Sequence, residues 1–125
     1  MGQVQTAESD ERARVMTMAV VRAADALDIS GRDLAIILGL SAPTVSRMRQ
    51  ARFRLEAGSK PFELGALFVR LFRALSAVTG GDADVARAWL RNDNRALGGC
   101  SLDQIKTVSG LIHGLAYLDT RRAPI

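Results

Sequence analysis

The segment FELGALFVRLFRALSAV, at residues 62–78, restricts the possible folds of this chain more than any other. Pro61 precedes it and a TGGD turn follows it, which is typical of a helix that begins at a proline and ends at glycines. Apart from Arg70 and Arg73, the segment is mostly apolar on all sides of the helix. A helix of this kind is buried, either at the centre of one core or in a contact between subunits.

The rest of the chain predicts an all-α fold of about six helices. Apolar residues recur at helical spacing, and no alternating run of five or more residues indicates a strand. The predicted helices run from Ser9 or Asp10 to about Leu27, from Arg32 to Leu38, from Ser41 to about Gln50, from Pro61 to Val78, through ADVARAWLR, and from Leu102 to about Arg121. Ser30, Ser41 and Asp82 are placed as N-caps, and Gly39 suits a left-handed C-cap.

Two of the predicted helices carry apolar stripes. The stripe of the first helix is Val15, Met18, Ala19, Ala23 and Ala26, and that of the last helix is Leu102, Ile105, Val108, Ile112 and Leu115. Met16, Val20 and Val21 widen the first stripe beyond what one small core needs, and the fourth helix has the same excess. This excess predicts a homodimer formed through the first and fourth helices.

Length and composition indicate an ordinary soluble protein. A chain of 125 residues forms one compact domain, or two small lobes that share a core. No run approaches the roughly 18 apolar residues that a membrane crossing needs. The N-terminus lacks the apolar core of a signal peptide, and Cys100, the single cysteine, cannot form an internal disulfide. We therefore expect a cytoplasmic protein that makes no membrane contact.

Positive charge is concentrated in one segment. Between Arg47 and Lys60 there are five cations and one anion, Glu56, so this segment carries the whole net charge of +4. A basic stripe on a nearly neutral body favours contact with a polyanion on one face. The alternative is a solvated loop that happens to be rich in arginine.

The residues before the basic segment predict a helix-turn-helix. Ala35, Gly39 and Val45 have the required spacing: a small residue where the helices cross, a residue that tolerates a left-handed turn, and an apolar residue between the helices. The remaining small core is supplied by Leu34, Leu38, Leu40 and Met48. The alternative is a plain αα-hairpin, which also uses glycine in its turn.

If Val45 and Met48 face inward, the other side of the second helix faces DNA. Ala42, Thr44 and Arg47 would then meet base edges in the major groove. Ser41, at the helix N-terminus, would bind a phosphate. The cations expected to neutralise the DNA backbone are Arg49, Arg52 and Arg54. One such unit makes few contacts, which again favours a dimer.

The sequence contains no catalytic constellation. His113 is expected to be a surface or half-buried packing residue, and Cys100 an incidental thiol, since no base lies near it in the sequence. One histidine and one cysteine cannot form a zinc site of known spacing. The glycine pairs at 80–81 and 98–99 do not match a phosphate-binding loop. We therefore expect no enzymatic activity, no metal and no cofactor.

The second half carries a series of motifs: a hydrophobic helix that ends in GG, then ARAWL, a polar NRALGG loop, and a last helix that ends in YLD. Together these motifs resemble the toxin-binding domain of Xre/MbcA/ParS antitoxins. Upstream, LGLSAPTVSRMRQ resembles the Xre-type helix-turn-helix of the same family. The family usually has a proline after the paired glycines, where this chain has Cys100 and Ser101. Ser101 and Gln104 have the spacing of a capping box, so we expect Ser101 to cap the last helix instead.

The resemblance implies a type II antitoxin with a helix-turn-helix region at residues 1–58 and a toxin-binding and dimerisation domain at residues 59–125. Its partner would be a RES-domain toxin, which consumes NAD. The antitoxin would inhibit this toxin, join it in a higher-order complex, and repress their shared operon by binding operator DNA.

The resemblance also implies a toxin contact in the polar loop and in the C-terminal tail. The candidate contact residues are Trp89, Asn92, Asn94, Arg95, Leu97, Gly98, Gly99, Asp119, Arg121 and Arg122. For Trp89 we favour a place in the core, and for Asn94 and Arg95 we favour the interface. Two other functions stay open: a solitary DNA-binding regulator whose second half dimerises or senses a ligand, and a neutraliser that no longer binds DNA.

Overall fold

A computed structural model describes the backbone of residues 2–122 and the side chains of residues 6–121. Within this range the chain forms seven α-helices, one 3-10 turn and a two-stranded hairpin. The elements are α1 (Gly2–Ala26), α2 (Gly31–Leu38), α3 (Ala42–Arg49), α4 (Lys60–Val78), α5 (Ala83–Arg91), β1 (Asp93–Asn94), the 3-10 turn (Arg95–Leu97), β2 (Gly99–Cys100), α6 (Ser101–Gln104) and α7 (Val108–Arg122). The predicted all-α class is confirmed.

Three helices begin at the N-cap residues that the sequence predicts, and the side chain of each N-cap accepts a hydrogen bond from the backbone. Ser30 Oγ accepts a hydrogen bond from Asp33 N at 3.1 Å, and Ser41 Oγ accepts one from Thr44 N at 3.2 Å. Asp82 caps α5 in the same way, and Gly39 ends α2 with a φ of 70°.

The predicted start of α1 is wrong, because the helix already begins at Gly2. Ser9 and Asp10 are exposed, and such residues are tolerated inside a helix when they face solvent.

The apolar helix α4 lies at the centre of the molecule. Phe68 and Leu71 are fully buried. α1 and α2 pack on one part of α4 and α7 on another. Gly65 permits the close approach of α1, because a Cβ there would lie 3.0 Å from Val20 Cγ2. The apolar excess of α4 is thus accounted for within one chain and no longer argues for a second subunit.

The buried face of α1 differs from the predicted stripe. Ala13, Thr17, Val20, Ala24 and Leu27 face the core, whereas Val15 is 51% exposed and Met18 is 40% exposed. Thr17 can face inward because its hydroxyl is satisfied there. The hydroxyl donates to Ala13 O at 2.6 Å and accepts from Leu55 N at 2.9 Å. The polar residue therefore ties α1 to the connector between α3 and α4.

The last helix is broken into α6 and α7, which contradicts the predicted single helix. Residues 105–107 interrupt it, and Thr107 Oγ1 accepts a hydrogen bond from Gly110 N at 3.0 Å. A Cβ on Gly110 would collide with the carbonyl of Gln104, so only glycine allows the two segments to fold back so closely.

The break also changes part of the predicted stripe of the last helix, because it alters which face of α7 meets the core. Ile105 and Leu115 are buried as predicted, whereas Val108 and Ile112 are about half exposed and Leu111 and Leu118 are buried in their place. The predicted capping box is wrong as well. Ser101 is fully buried, and its Oγ has no hydrogen-bond partner within the described chain. The N-cap of α6 is Cys100, whose side chain makes no capping bond.

Polar contacts join the two halves of the chain. Arg87 Nε donates to Ala26 O and Arg91 Nη1 donates to Leu27 O, both at 2.9 Å, so α5 is held on the C-terminal end of α1. Lys106 Nζ lies 3.2 Å from Asp33 Oδ1 and joins the α6–α7 junction to α2. Since α4 also packs against elements of both halves, the division after residue 58 stays a prediction.

Of the helices that the structure describes, none has the length and apolar content to cross a membrane.

Candidate DNA-contact and toxin-contact surfaces

The packing of α2 on α3 leaves one face of α3 free. Val45 is fully buried and Met48 is 3% exposed, and both belong to the same core cluster as Leu34 and Leu38. The left-handed turn at Gly39 sets the two helices across each other. This is the predicted helix-turn-helix geometry, with the face opposite Val45 directed to solvent.

The exposed face of α3 carries a connected line of polar side chains. Ser41 Oγ lies 2.8 Å from Thr44 Oγ1, and Arg47 Nη2 donates to Thr44 Oγ1 at 3.0 Å. Ser41, Ala42 and Arg47 are exposed, and Thr44 is half-buried. The bond to Thr44 orients the Arg47 guanidinium along the helix. Its remaining N–H groups are available to donate to a partner, as bidentate recognition of a guanine requires.

The other predicted cations divide into two groups. Arg49 Nη2 donates to Ile29 O at 2.8 Å and lies 3.5 Å from Asp25 Oδ1, so its guanidinium joins α3 to the end of α1. Arg52 and Arg54 are exposed and have no hydrogen-bond or ion-pair partner among the described side chains. Two of the three are therefore free for phosphate contacts, and Arg49 is occupied within the fold.

The polar loop of residues 92–100 is a small hairpin. Asp93 pairs with Cys100 and Asn94 pairs with Gly99 in antiparallel register. Asn94 Oδ1 accepts a hydrogen bond from Ala96 N at 2.9 Å, and Gly98 turns the chain with a φ of 83°. Two-residue strands have no alternation to detect, so sequence reasoning missed the hairpin. The asparagine and the glycine pair were the available signal.

Beside the hairpin, a half-buried aromatic pair is covered by an arginine. The Trp89 and Tyr117 rings are stacked, with centroids 6.4 Å apart and planes at 21°. The guanidinium of Arg121 lies 5.7 Å from the Tyr117 ring centroid, and Arg121 Nη1 donates to Tyr117 Oη at 3.1 Å. Trp89 therefore packs against the core without being enclosed by it. Tyr117 was missed as a site residue, although its spacing of four from Arg121 places both on one face of a helix.

The remaining predicted toxin contacts lie in the hairpin, in the 3-10 turn and at the end of α7. The 3-10 turn with Arg95 and Leu97 packs against α7, which brings the loop and the end of the last helix together. Asn92, Arg95 and Asp119 are exposed, whereas Leu97 and Gly99 are half-buried. The side chain of Arg122 and residues 123–125 lie outside the described part of the chain.

The histidine and the cysteine of the chain lie on different elements, His113 on α7 and Cys100 on β2. His113 is exposed on α7. Cys100 is half-buried, with its Sγ 3.5 Å from Leu90 O and 3.4 Å from Arg91 O. No three His, Cys, Asp or Glu side chains in this range are close enough together to hold a metal ion.

These features define a helix-turn-helix protein whose second half presents a polar hairpin beside an aromatic pair. Comparison with known families identifies both parts. Residues 7–70 match the antitoxin Xre-like helix-turn-helix domain, and residues 74–123 match the antitoxin Xre/MbcA/ParS C-terminal toxin-binding domain. The chain belongs to the Xre/MbcA/ParS antitoxin family, and its role is that of an antitoxin in a toxin–antitoxin system. No curated protein matches the chain.

Proposed function

We propose that this antitoxin inhibits a cognate RES-domain toxin that consumes NAD, and that it represses the shared operon by binding operator DNA. The observation that supports this proposal is the separation of two surfaces. The free face of α3 lies in the part matched to the helix-turn-helix domain, and the hairpin with the aromatic pair lies in the part matched to the toxin-binding domain. The RES class of the toxin rests on the family resemblance. In this proposal the chain acts in the cytoplasm and has no enzymatic activity of its own.

The toxin contact is assigned to the hairpin and the aromatic pair. Arg95 is exposed and has no partner among the described residues, and Arg121 lies over Tyr117 beside the half-buried Trp89. Arginine, tyrosine and tryptophan are the side chains that most often dominate interface energy. Asn94 has a different task, because its side chain holds the shape of the hairpin.

The toxin contact is tested by replacing Arg95 and Arg121 with alanine, singly and together. Each loss should weaken toxin binding about 30-fold, the equivalent of ~2 kcal/mol for an interface anchor. The measurements are growth on co-expression with the toxin, and the Kd of the purified complex. Arg73→Ala, which removes an exposed arginine from α4, is the matched control. Full neutralisation by the double variant would exclude this surface as the toxin contact.

The DNA contact is assigned to α3 and the connector after it. Arg47→Ala should relax base preference at one operator position and cost ~1–3 kcal/mol. Arg52→Ala should weaken binding to all duplexes alike and lower the salt dependence by about one unit of slope. Gel-shift titrations over a salt series separate these effects, again with Arg73→Ala as the control. An Arg47→Ala, Arg52→Ala protein with wild-type affinity and salt dependence would contradict the assignment.

The proposal includes a homodimer and a larger complex with the toxin. One α3 contacts too few base pairs for tight specific binding, and a two-fold dimer would place a second α3 about one DNA turn, or ~34 Å, along the operator. Light scattering of the full chain at micromolar concentration tests the dimer. A monomer mass at the concentrations where DNA binding is observed would contradict it.

A further inference from the structure

The solvent-facing side of α1 carries a heptad seam. Its exposed residues follow one another at alternating intervals of three and four: Glu8, Glu11, Val15, Met18, Arg22 and Asp25. This is the spacing by which two helices pack side by side along a straight line. The seam lies on the other side of α1 from the buried Val20 and Ala24, so the core of the single chain does not use it. Two of its carboxylates have partners within the chain: Glu11 pairs with Arg14 at 2.7 Å, and Asp25 lies 3.5 Å from Arg49.

The centre of the seam is apolar and has an open groove on each side. Val15 is 51% exposed and Met18 is 40% exposed. On one side, a groove of about 340 Å³ lies between Val15 and Phe62 of α4. On the other side, a groove of about 350 Å³ lies between Met18 and Phe53 of the connector. The groove beside Phe62 is lined mainly by apolar side chains, whereas the lining of the groove beside Phe53 also includes four arginines: Arg14, Arg22, Arg49 and Arg54. An apolar ridge beside an apolar groove has the shape that packs against a copy of itself, ridge into groove.

The charges of the seam specify the direction of such a copy. The N-terminal part holds the carboxylates of Glu8 and Glu11, and the C-terminal part holds the guanidinium of Arg22. In an antiparallel pair centred between Met16 and Thr17, Val15 meets Met18 of the second copy and Glu11 meets its Arg22. Both pairings occur twice because of the two-fold axis.

The outer ends of this register are also compatible. Glu8 approaches Asp25 of the second copy, where the Arg49 guanidinium already lies 3.5 Å from the carboxylate and offsets its charge. A parallel pair would instead set Glu11 against Glu11 and Arg22 against Arg22. Like charges at these positions are unfavourable, so the antiparallel register is the one the charges favour.

We propose that the seam on α1 is the homodimer interface of this antitoxin, with two α1 helices packed antiparallel and Glu11 paired with Arg22 of the second copy. This inference rests on the homodimer of the proposed function and assigns its surface. The occupant of the two grooves is therefore a second copy of this chain.

The test is a charge exchange across the two-fold axis in the full-length protein. Glu11→Arg sets two arginines against each other at both symmetric positions, and Arg22→Glu sets two glutamates against each other. Each single variant should raise the dimer Kd by about 10-fold or more, because each unfavourable pair occurs twice. The double variant Glu11→Arg, Arg22→Glu restores opposite charges and should return the Kd to near the wild-type value.

Sedimentation equilibrium over a concentration series measures these constants, and circular dichroism establishes that each variant is folded. Asp10→Arg and Arg73→Glu make the same charge changes at exposed positions off the seam, so they should leave the Kd unchanged. A monomeric wild type would overturn both the homodimer and the seam. A dimeric wild type whose Kd is insensitive to the single variants, or is not restored in the double variant, would overturn the seam alone.

Discussion

At the scale of single residues, Gly110 determines how the end of the chain folds back. The carbonyl of Gln104 occupies the place where a Cβ at residue 110 would lie. Gly110→Ala should therefore lower the free energy of unfolding by about 3 kcal/mol, although alanine favours a helix by ~1 kcal/mol. Gly114→Ala is the matched control. Its Cβ would lie 3.2 Å from the end of the flexible Leu71 side chain, which can shift, so its loss should be clearly smaller.

Urea unfolding followed by circular dichroism compares the two glycine variants. Equal losses, or a loss below about 1 kcal/mol for Gly110→Ala, would show that the backbone at the α6–α7 junction adjusts at little cost.

Residues of this kind also limit what the sequence predicts. The sequence correctly predicted a small buried residue at Ala35, a left-handed turn at Gly39 and a buried side chain at Val45. Each of these positions follows from the local spacing of the helix-turn-helix. The roles of Thr17 and Gly110 were not predicted, because these roles depend on contacts that form only when the chain folds. The partner of Thr17 is the backbone of Leu55, 38 residues later, and periodicity within one helix contains no information about it.

At the scale of elements, the ion pair between Lys106 and Asp33 holds the α6–α7 junction on α2. The hydrogen bond to Asp33 raises the pKa of Lys106 above its ordinary value of 10.5. Burial acts in the opposite direction, and a weaker bond to Asp103 adds to the rise. Because the pKa is raised in the folded state, the stabilisation is fully present below pH 10.5 and is lost as the pH rises through the higher folded value.

Lys106→Met should accordingly lower the free energy of unfolding by about 1 kcal/mol at neutral pH, and the difference from wild type should shrink above pH 10.5. Urea titrations at pH 7, 9 and 11 measure the difference. Lys60→Met removes the exposed Lys60–Glu63 pair and should have no measurable effect. If the difference in free energy of unfolding between Lys106→Met and wild type stays constant to pH 11, then the packing of the lysine stem, rather than its charge, stabilises the contact between the α6–α7 junction and α2.

Long helices were predicted correctly from the sequence, whereas very short elements were not. The long segment at 62–78 was correctly identified as a central helix, and the caps at Ser30, Ser41 and Asp82 were placed correctly. The two-residue strands of the hairpin were too short to leave a pattern. Of the candidate toxin surface, the polar loop was predicted and Tyr117 was not, because its pairing with Trp89 depends on the approach of α7 to the end of α5.

At the scale of the whole molecule, α4 is shared by the two matched domains. α1 and α2 cover one part of it, where Gly65 approaches Val20 and Leu55, and α7 covers another. A fragment of residues 58–125 would expose the face that α1 and α2 cover. It should therefore lack a cooperative thermal transition by circular dichroism, whereas the full chain should unfold in a single step. A cooperative transition of the fragment at micromolar concentration would show that residues 59–125 form an independent domain.

The shared position of α4 also bears on how such proteins diversify. The turn at Gly80 and Gly81 is a suitable position at which to join the N-terminal half of one relative to the C-terminal half of another. Both glycines have positive φ, and a Cβ on either would meet no atom within 4 Å. A recombinant joined there inherits α4 with the helix-turn-helix but receives α7 from the other parent. Leu71, whose Cδ1 would lie 3.2 Å from a Cβ on Gly114, would then have to fit the residue that the other parent carries there. Under the proposed function, a chain that exchanges its toxin-binding half must therefore keep the α4–α7 contact or rebuild it by paired substitutions.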